Sequence, residues 1–210
     1  MNKINKKFKL ITLLLFSTIL LYSQKQGNIR VGGNIDLAFP NQGFGFGGDI
    51  DGRYNILDNL NAGIKVGTVL GFRDKVITKS DLTGTLKLIM INSYLLTSDY
   101  YLNYGESVFA PYVGGGFGLF NITNVKFAVD NNPNYSSLFN IARDNKIGGL
   151  LRAGVEISKF RLGAEYYFIP RSDLYDITHT KVGVTSNSYF NISIGFYIGG
   201  GKWDKNNFNY

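Results

Sequence analysis

The sequence predicts an all-β chain: an eight-stranded antiparallel up-and-down transmembrane β-barrel that follows a cleaved signal peptide. Three observations predict it. Apolar and polar residues alternate with period two across eight segments, the spacing of strands with one greasy face. Most of these segments run to 9–13 residues, which suits the ~9–11 tilted residues of a membrane strand better than the ~5–6 of ordinary globular strands. The connections between them alternate between short and long, as in membrane barrels with short turns at one end and loops at the other.

The elements follow in order. Residues 1–23 read as a secretory signal peptide: Lys3, Lys6, Lys7 and Lys9 form a basic start, 10–22 is apolar, and Ser23 offers a small residue before Gln24. The apolar run is too short for the ~20 residues of a spanning helix. The barrel domain is 24–210, with a tail over 200–210. Its first strand, 29–39, sets Ile29, Val31, Ile35, Leu37 and Phe39 against Arg30, Asn34 and Asp36. The second, 44–56, sets Phe44, Phe46, Ile50, Tyr54 and Ile56 against Gly45, Gly47, Asp49, Asp51 and Arg53. Strands at 60–72, 108–120, 147–157, 160–168 and 189–199 repeat the pattern.

The strand at 86–101 is blurred. Lys87, Thr97 and Asp99 share a parity with Ile89, Ile91 and Leu95, and Asn92 falls on the apolar face. A β-bulge near Asn92, or an upper half projecting beyond the apolar band, would account for this. The short connections are 57–59, 102–107 and 158–159; the others are 40–43, 73–85, 121–146 and 170–188.

Composition narrows the functional classes. The 210 residues include no Cys and one His, His179. A disulfide framework, a thiolate metal site and a Cys nucleophile are excluded, and no cofactor or metal is expected. The formal charge is +7, but four of the 22 basic residues lie in 1–23, leaving 18 against 15 acidic ones. That balance carries no nucleic-acid footprint, which needs clustered Lys and Arg.

Alternation alone does not say which face is inside. A soluble ligand-binding barrel would turn the apolar face inward. Three features turn it toward lipid. A two-residue turn at 158–159 places Glu156 opposite Arg161 and Arg152 opposite Glu165. A turn at 57–59 places Asp51 opposite Lys65, near Arg30 and Arg53. Charges paired in this way can fill a narrow barrel. The interior network is therefore expected to comprise Arg30, Asp49, Asp51, Arg53, Lys65, Arg152, Glu156, Arg161 and Glu165. Glycines gather on the same face (Gly45, Gly47, Gly63, Gly67, Gly114, Gly116, Gly118), leaving room for long side chains. Aromatics gather near segment ends as two expected girdles: Phe39, Phe44, Tyr54, Phe72, Tyr100, Tyr101, Phe109, Phe120, Phe160, Phe168, Tyr189, Phe190, Tyr197 and Trp203.

The strings Ser-Tyr-Leu-Leu-Thr-Ser-Asp-Tyr-Tyr-Leu (93–102), Pro-Tyr-Val-Gly-Gly-Gly-Phe-Gly-Leu-Phe (111–120) and Ile-Ser-Ile-Gly-Phe-Tyr-Ile-Gly-Gly-Gly (192–201) complete a pattern that runs the length of the mature chain. It resembles the small eight-stranded outer-membrane barrels of Gram-negative bacteria, the OmpX/OmpW-like group. The resemblance implies an outer-membrane location, outer-membrane lipid as surroundings, and the barrel-assembly machinery as partner during insertion. It is specific for architecture and unspecific for activity. Many relatives close their last strand with an aromatic residue; here 200–210 follows, with Phe208 and Tyr210 near its end.

No motif announces an enzyme. The glycines of 43–48 and 114–118 alternate with Phe and precede no helix, so they are strand interior rather than a phosphate cradle. His179 lies near Ser172, Asp173 and Asp176, but nothing around it marks a nucleophile with an oriented base. Acidic loop residues show no EF-hand spacing. The expected protein is a monomeric, non-enzymatic barrel with a plugged, charge-paired interior and a structural or surface-interaction role. The loop at 121–146 is the favoured interaction surface, through Phe127, Tyr135, Leu138 and Phe139, toward a partner the sequence does not identify. The alternative is a narrow channel or transporter for small solutes, apolar ones among them, hinted at by Ile89, Ile91 and Leu95.

Overall fold

In the computed structural model, residues 26–40, 43–74, 85–102, 108–128, 140–175 and 181–199 are described. Eight strands close into one antiparallel barrel: β1 (Ile29–Pro40), β2 (Gly43–Leu57), β3 (Leu60–Asp74), β4 (Thr85–Tyr101), β5 (Phe109–Ala128), β6 (Asn140–Ile157), β7 (Phe160–Phe168) and β10 (Tyr189–Gly199). A separate two-stranded hairpin, β8 (Ser172–Tyr175) and β9 (Lys181–Thr185), sits in the connection between β7 and β10. Each barrel strand pairs with its sequence neighbours, and β1 closes the ring on β10.

The register fixes the size of the barrel. The ladder runs from Asn121 through Asn92, Thr68, Gly48, Ile35, Ile194, Leu162 and Val155. It returns to β5 at Pro111, ten residues below its start. Eight strands with this stagger tilt by about 40° and leave an interior that side chains alone can fill.

Every expected strand is present. The exterior is predominantly apolar: Ile35 is 76% exposed, Ile147 71% and Ile50 66%. The inward positions carry the charges, glycines and several tyrosines. This is the inverse of a soluble barrel, and a surface of this kind is stable only against lipid. Two aromatic belts flank it. At the loop end Phe39 packs on Phe190 (6.3 Å between centroids) and Phe44 on Phe72 (6.0 Å). At the turn end Phe160 packs on Phe196 (5.6 Å).

The structure corrects the sequence reading in four places. First, Tyr101, Phe120, Tyr189 and Tyr197 are buried inside the barrel and belong to no girdle. Each sits beside an outward residue, and neighbours along a strand cannot share a face. Trp203 lies outside the described residues. Second, β4 has no bulge at Asn92; its register with β3 and β5 is unbroken. Ile89, Ile91 and Leu95 simply point inward, because the lining itself changes from charged to apolar toward the loop end. Third, much of 121–146 is strand rather than loop. The ladder continues from Asn121↔Asn145 to Lys126↔Asn140. Beyond the lipid band both faces of a ribbon meet water, so no alternation marks it. Fourth, the connection at 170–188 contains β8 and β9, whose strands of four and five residues are too short to show a period.

The turn at 158–159 joins Ile157 to Phe160 as expected. Ser158 adopts φ 58°, the only positive φ of a non-glycine among the described residues. A single positive φ at the first central position is the signature of a II′ turn, where glycine is favoured. Ser158→Gly should therefore raise barrel stability by about 0.5–1 kcal/mol, read from urea unfolding in lipid vesicles.

Candidate functional site

The candidate site is the barrel interior. Alternation aims each inward side chain at a lumen only a few ångströms across, so groups from distant strands meet there. All nine residues expected in the network are buried. The described buried charges balance: Arg30, Arg53, Lys65, Arg152, Lys159 and Arg161 against Asp36, Asp49, Asp51, Asp99, Glu156 and Glu165.

The expected registers are present: Glu156↔Arg161, Arg152↔Glu165 and Asp51↔Lys65 face each other on adjacent strands. The close contacts, however, join other partners as well, several of them on non-adjacent strands. Arg152 donates from Nε to Asp99 Oδ1 at 2.6 Å and from Nη2 to Oδ2 at 3.0 Å, while Glu165 stands 4.0 Å from its Nη1. Lys65 bonds Glu165 at 2.6 Å and Asp49 at 2.9 Å. Asp51 pairs with Arg53 on its own strand. Arg30 crosses to Glu156 at 2.9 Å, and Glu156 lies 3.7 Å from Arg161. Inward side chains of a narrow closed sheet converge on its axis, so long ones reach carboxylates on non-adjacent strands as readily as the facing neighbour.

Asp99 is the centre that sequence reasoning left out of the network. It is fully buried and receives Arg152, Arg161 at 3.0 Å and Arg53 at 3.2 Å. Its inward parity was legible, but its three partners come from β2, β6 and β7, and no local pattern joins them. Gly114 faces it across the β4–β5 ladder. A Cβ there would collide with Asp99 Oδ1, so the glycine gives the carboxylate its space. Tyr101 supplies a second junction. Its hydroxyl accepts from Arg30 at 2.6 Å and from Asn61 at 3.2 Å, and donates to Glu156 at 2.6 Å. Tyr112 lies under the Arg161 guanidinium, 3.8 Å from centroid to Cζ. A side chain at Gly154 or Gly163 would meet its hydroxyl within 2.7 Å.

Toward the loops the lining becomes apolar. Ala38, Val69, Ile89, Ile91, Leu95, Phe120, Ile122, Leu150, Tyr167, Ile169 and Tyr189 form one buried cluster. Phe120 meets Tyr167 edge-on at 6.1 Å, and Tyr167 stacks on Tyr189 at 4.4 Å. Between the two tiers, Asp36, Asp49 and Glu165 bring carboxylate oxygens within 4.8 Å of one another. Such a cluster could hold a cation, and the Lys65 ammonium bonds two of its three members. Asn191 donates to the third, Asp36, at 2.9 Å.

The other sequence-predicted residues fall differently. Phe127 lies on β5, opposite Leu86, rather than in a loop. Tyr135, Leu138, Phe139, Asp176 and His179 lie outside the described residues. Ser172, on β8, is buried, and its Oγ accepts from Asn187 Nδ2 at 2.7 Å.

No family model matches this chain, and no curated protein sequence is similar to it. Solved structures are. The outer membrane protein OprG from Pseudomonas aeruginosa shares 13% identity with a TM-score of 0.49, over 84% of this chain and 97% of its own. Neisserial surface protein A shares 16% at a TM-score of 0.43, over 81% and 95%. Ail, the attachment invasion locus protein of Yersinia pestis, shares 12% at 0.42, over 83% and 99%. At these identities the likeness is one of fold. The chain's own closed register establishes the eight-stranded barrel.

Because Arg152 bonds Asp99 and only approaches Glu165, a double-mutant cycle should separate the two. The Asp99–Arg152 coupling should reach about 2–3 kcal/mol and the Glu165–Arg152 coupling should stay near or below ~1 kcal/mol. Asp99→Asn alone should destabilise by about 3–5 kcal/mol, because it strands three buried guanidiniums. Urea titration of the barrel refolded in micelles measures both.

Proposed function

We propose that this chain is a non-enzymatic outer-membrane barrel with a structural or surface-interaction role, inserted by the barrel-assembly machinery and working as a monomer. One observation carries the reading. Among the described residues, the inward positions carry a charge-balanced tier toward the turns and an apolar tier toward the loops. A lumen packed in this way offers no aqueous path, and eight strands leave little width for one. The apolar exterior and its aromatic belts support the membrane setting. What remains available to partners is the loop end, where β5 and β6 rise beyond the lipid band as a paired ribbon. Extended elements at the open end of a rigid barrel are where recognition is commonly placed.

The alternative is a narrow route for small solutes, apolar ones among them. The apolar tier built on Ile89, Ile91, Leu95, Phe120 and Ile122 favours it, since such a lining would suit an apolar guest. The two readings part in planar lipid bilayers and loaded liposomes. The plugged barrel should show no unit conductance and no solute flux. Truncation in both tiers, Asp99→Ala with Arg152→Ala in the charged one and Phe120→Ala with Tyr167→Ala in the apolar one, should open small conductance steps, with folding checked by heat-modifiable gel migration. Steady steps from the unaltered protein would overturn the plugged reading.

A further inference from the structure

The outer wall is not uniform. Among the described outward side chains, the non-aromatic polar ones are Thr68, Asn92, Ser98, Asn121, Thr123, Arg143 and Asn145, and all lie on β3 to β6. The outward faces of β1, β2, β7 and β10 carry only apolar residues, glycine and tyrosine. Ser98 is accounted for, because its hydroxyl donates to the Asn61 carbonyl at 2.7 Å. Thr68, Asn92, Asn121 and Asn145 form a single row, each the register partner of the next. Thr68 Oγ1 donates to Asn92 Oδ1 at 2.8 Å, and Asn121 Nδ2 donates to Asn145 Oδ1 at 2.8 Å. The side-chain carboxamide nitrogens of Asn92 and Asn145 make no hydrogen bond among the described residues. Each is a double donor facing outward from the barrel.

The stagger of the barrel makes this row slope. Each step from β6 toward β3 descends by about 3 Å along the axis, so Thr68 sits roughly 9 Å deeper than Asn145. The upper end is at the mouth, where the exposed Arg143 stands two residues above Asn145 on the same face, opposite Thr123. The lower end is inside the apolar band, where Val66 and Leu70 flank Thr68 and Tyr94 follows Asn92. Amide donors facing hydrocarbon without acceptors are costly.

We propose that this face holds the polar head of one anionic, ester-linked membrane lipid in the loop-side leaflet, with its phosphate at Arg143 and Asn145 and its acyl-ester carbonyls at Asn92 and Thr68; phosphatidylglycerol serves below as the probe of that chemistry. A lipid head offers this order of groups: charge near the water, carbonyl acceptors a few ångströms below, and chains deeper still. A guanidinium suits the phosphate, and carboxamide N–H groups suit the carbonyls. A second copy of the chain fits less well. Two copies related by an axis along the membrane normal would cross their sloping rows, and the amides would meet at one point only. The inference rests on the barrel spanning a bilayer, and does not depend on whether its interior conducts.

The experiment is native mass spectrometry of the full mature barrel released from nanodiscs of equal parts phosphatidylcholine and phosphatidylglycerol. Folding is checked beforehand by heat-modifiable migration, so a failure to span the bilayer is seen separately. The unaltered barrel should retain one phosphatidylglycerol several-fold over phosphatidylcholine. Arg143→Gln should remove the charge preference. Asn92→Leu with Asn145→Leu should lower total lipid retention while the barrel stays folded, since these exposed positions lie outside the core. Equal retention of the two lipids, or the same retention in the variants, would overturn the proposal. So would a dimer cross-linked efficiently through Asn92→Cys.

Discussion

The structure depends on the narrowness of its own closure. Eight strands with a ten-residue stagger leave a lumen that side chains must fill, since it is too tight for bulk water. Every charge placed there loses its hydration and must recover it from another side chain. The equal number of buried cations and carboxylates among the described residues follows from that demand. So does the convergence of three guanidiniums on Asp99, because one carboxylate has acceptor sites enough for several donors. The glycines at 114, 154 and 163 belong to the same constraint, since each leaves the space that a carboxylate or a tyrosine ring occupies.

Lipid outside imposes the complementary rule. The outward face must be apolar where it meets hydrocarbon, and amphipathic rings are stable where it meets the headgroups. Inside and outside are therefore solved by the same alternation read in opposite senses. The two interior tiers add an axial asymmetry that the outer wall lacks. Charged groups occupy the half toward the turns, and aliphatic and aromatic groups line the half toward the loops. The two linings differ in what they disfavour, since burial in the apolar tier is costly for an ion and burial among the charges is costly for an apolar group. The polar row across β3 to β6 breaks the symmetry around the barrel as well, giving one half of the wall hydrogen-bonding chemistry of its own.

The sequence by itself determined the strands, their phase and their order. Period-two alternation is local, so the bounds at 160–168 and 189–199 were legible to the residue. Short turns tie neighbouring strands, so the pairs Glu156↔Arg161 and Asp51↔Lys65 were legible as registers. The nine charged residues expected inside are inside for the same reason. Only the tertiary structure decided who bonds whom. Arg152 turns from Glu165 to Asp99, Lys65 from Asp51 to Glu165, and Arg30 crosses to Glu156. These partners lie up to 126 residues apart in the chain, and what brings them together is the curvature of the closed sheet, which no local spacing encodes. The β8–β9 hairpin was hidden because its strands are too short to show a period, and the β5–β6 ribbon above the membrane for a different reason. Alternation is written into a strand only where its two faces meet different solvents, and beyond the lipid both faces meet water.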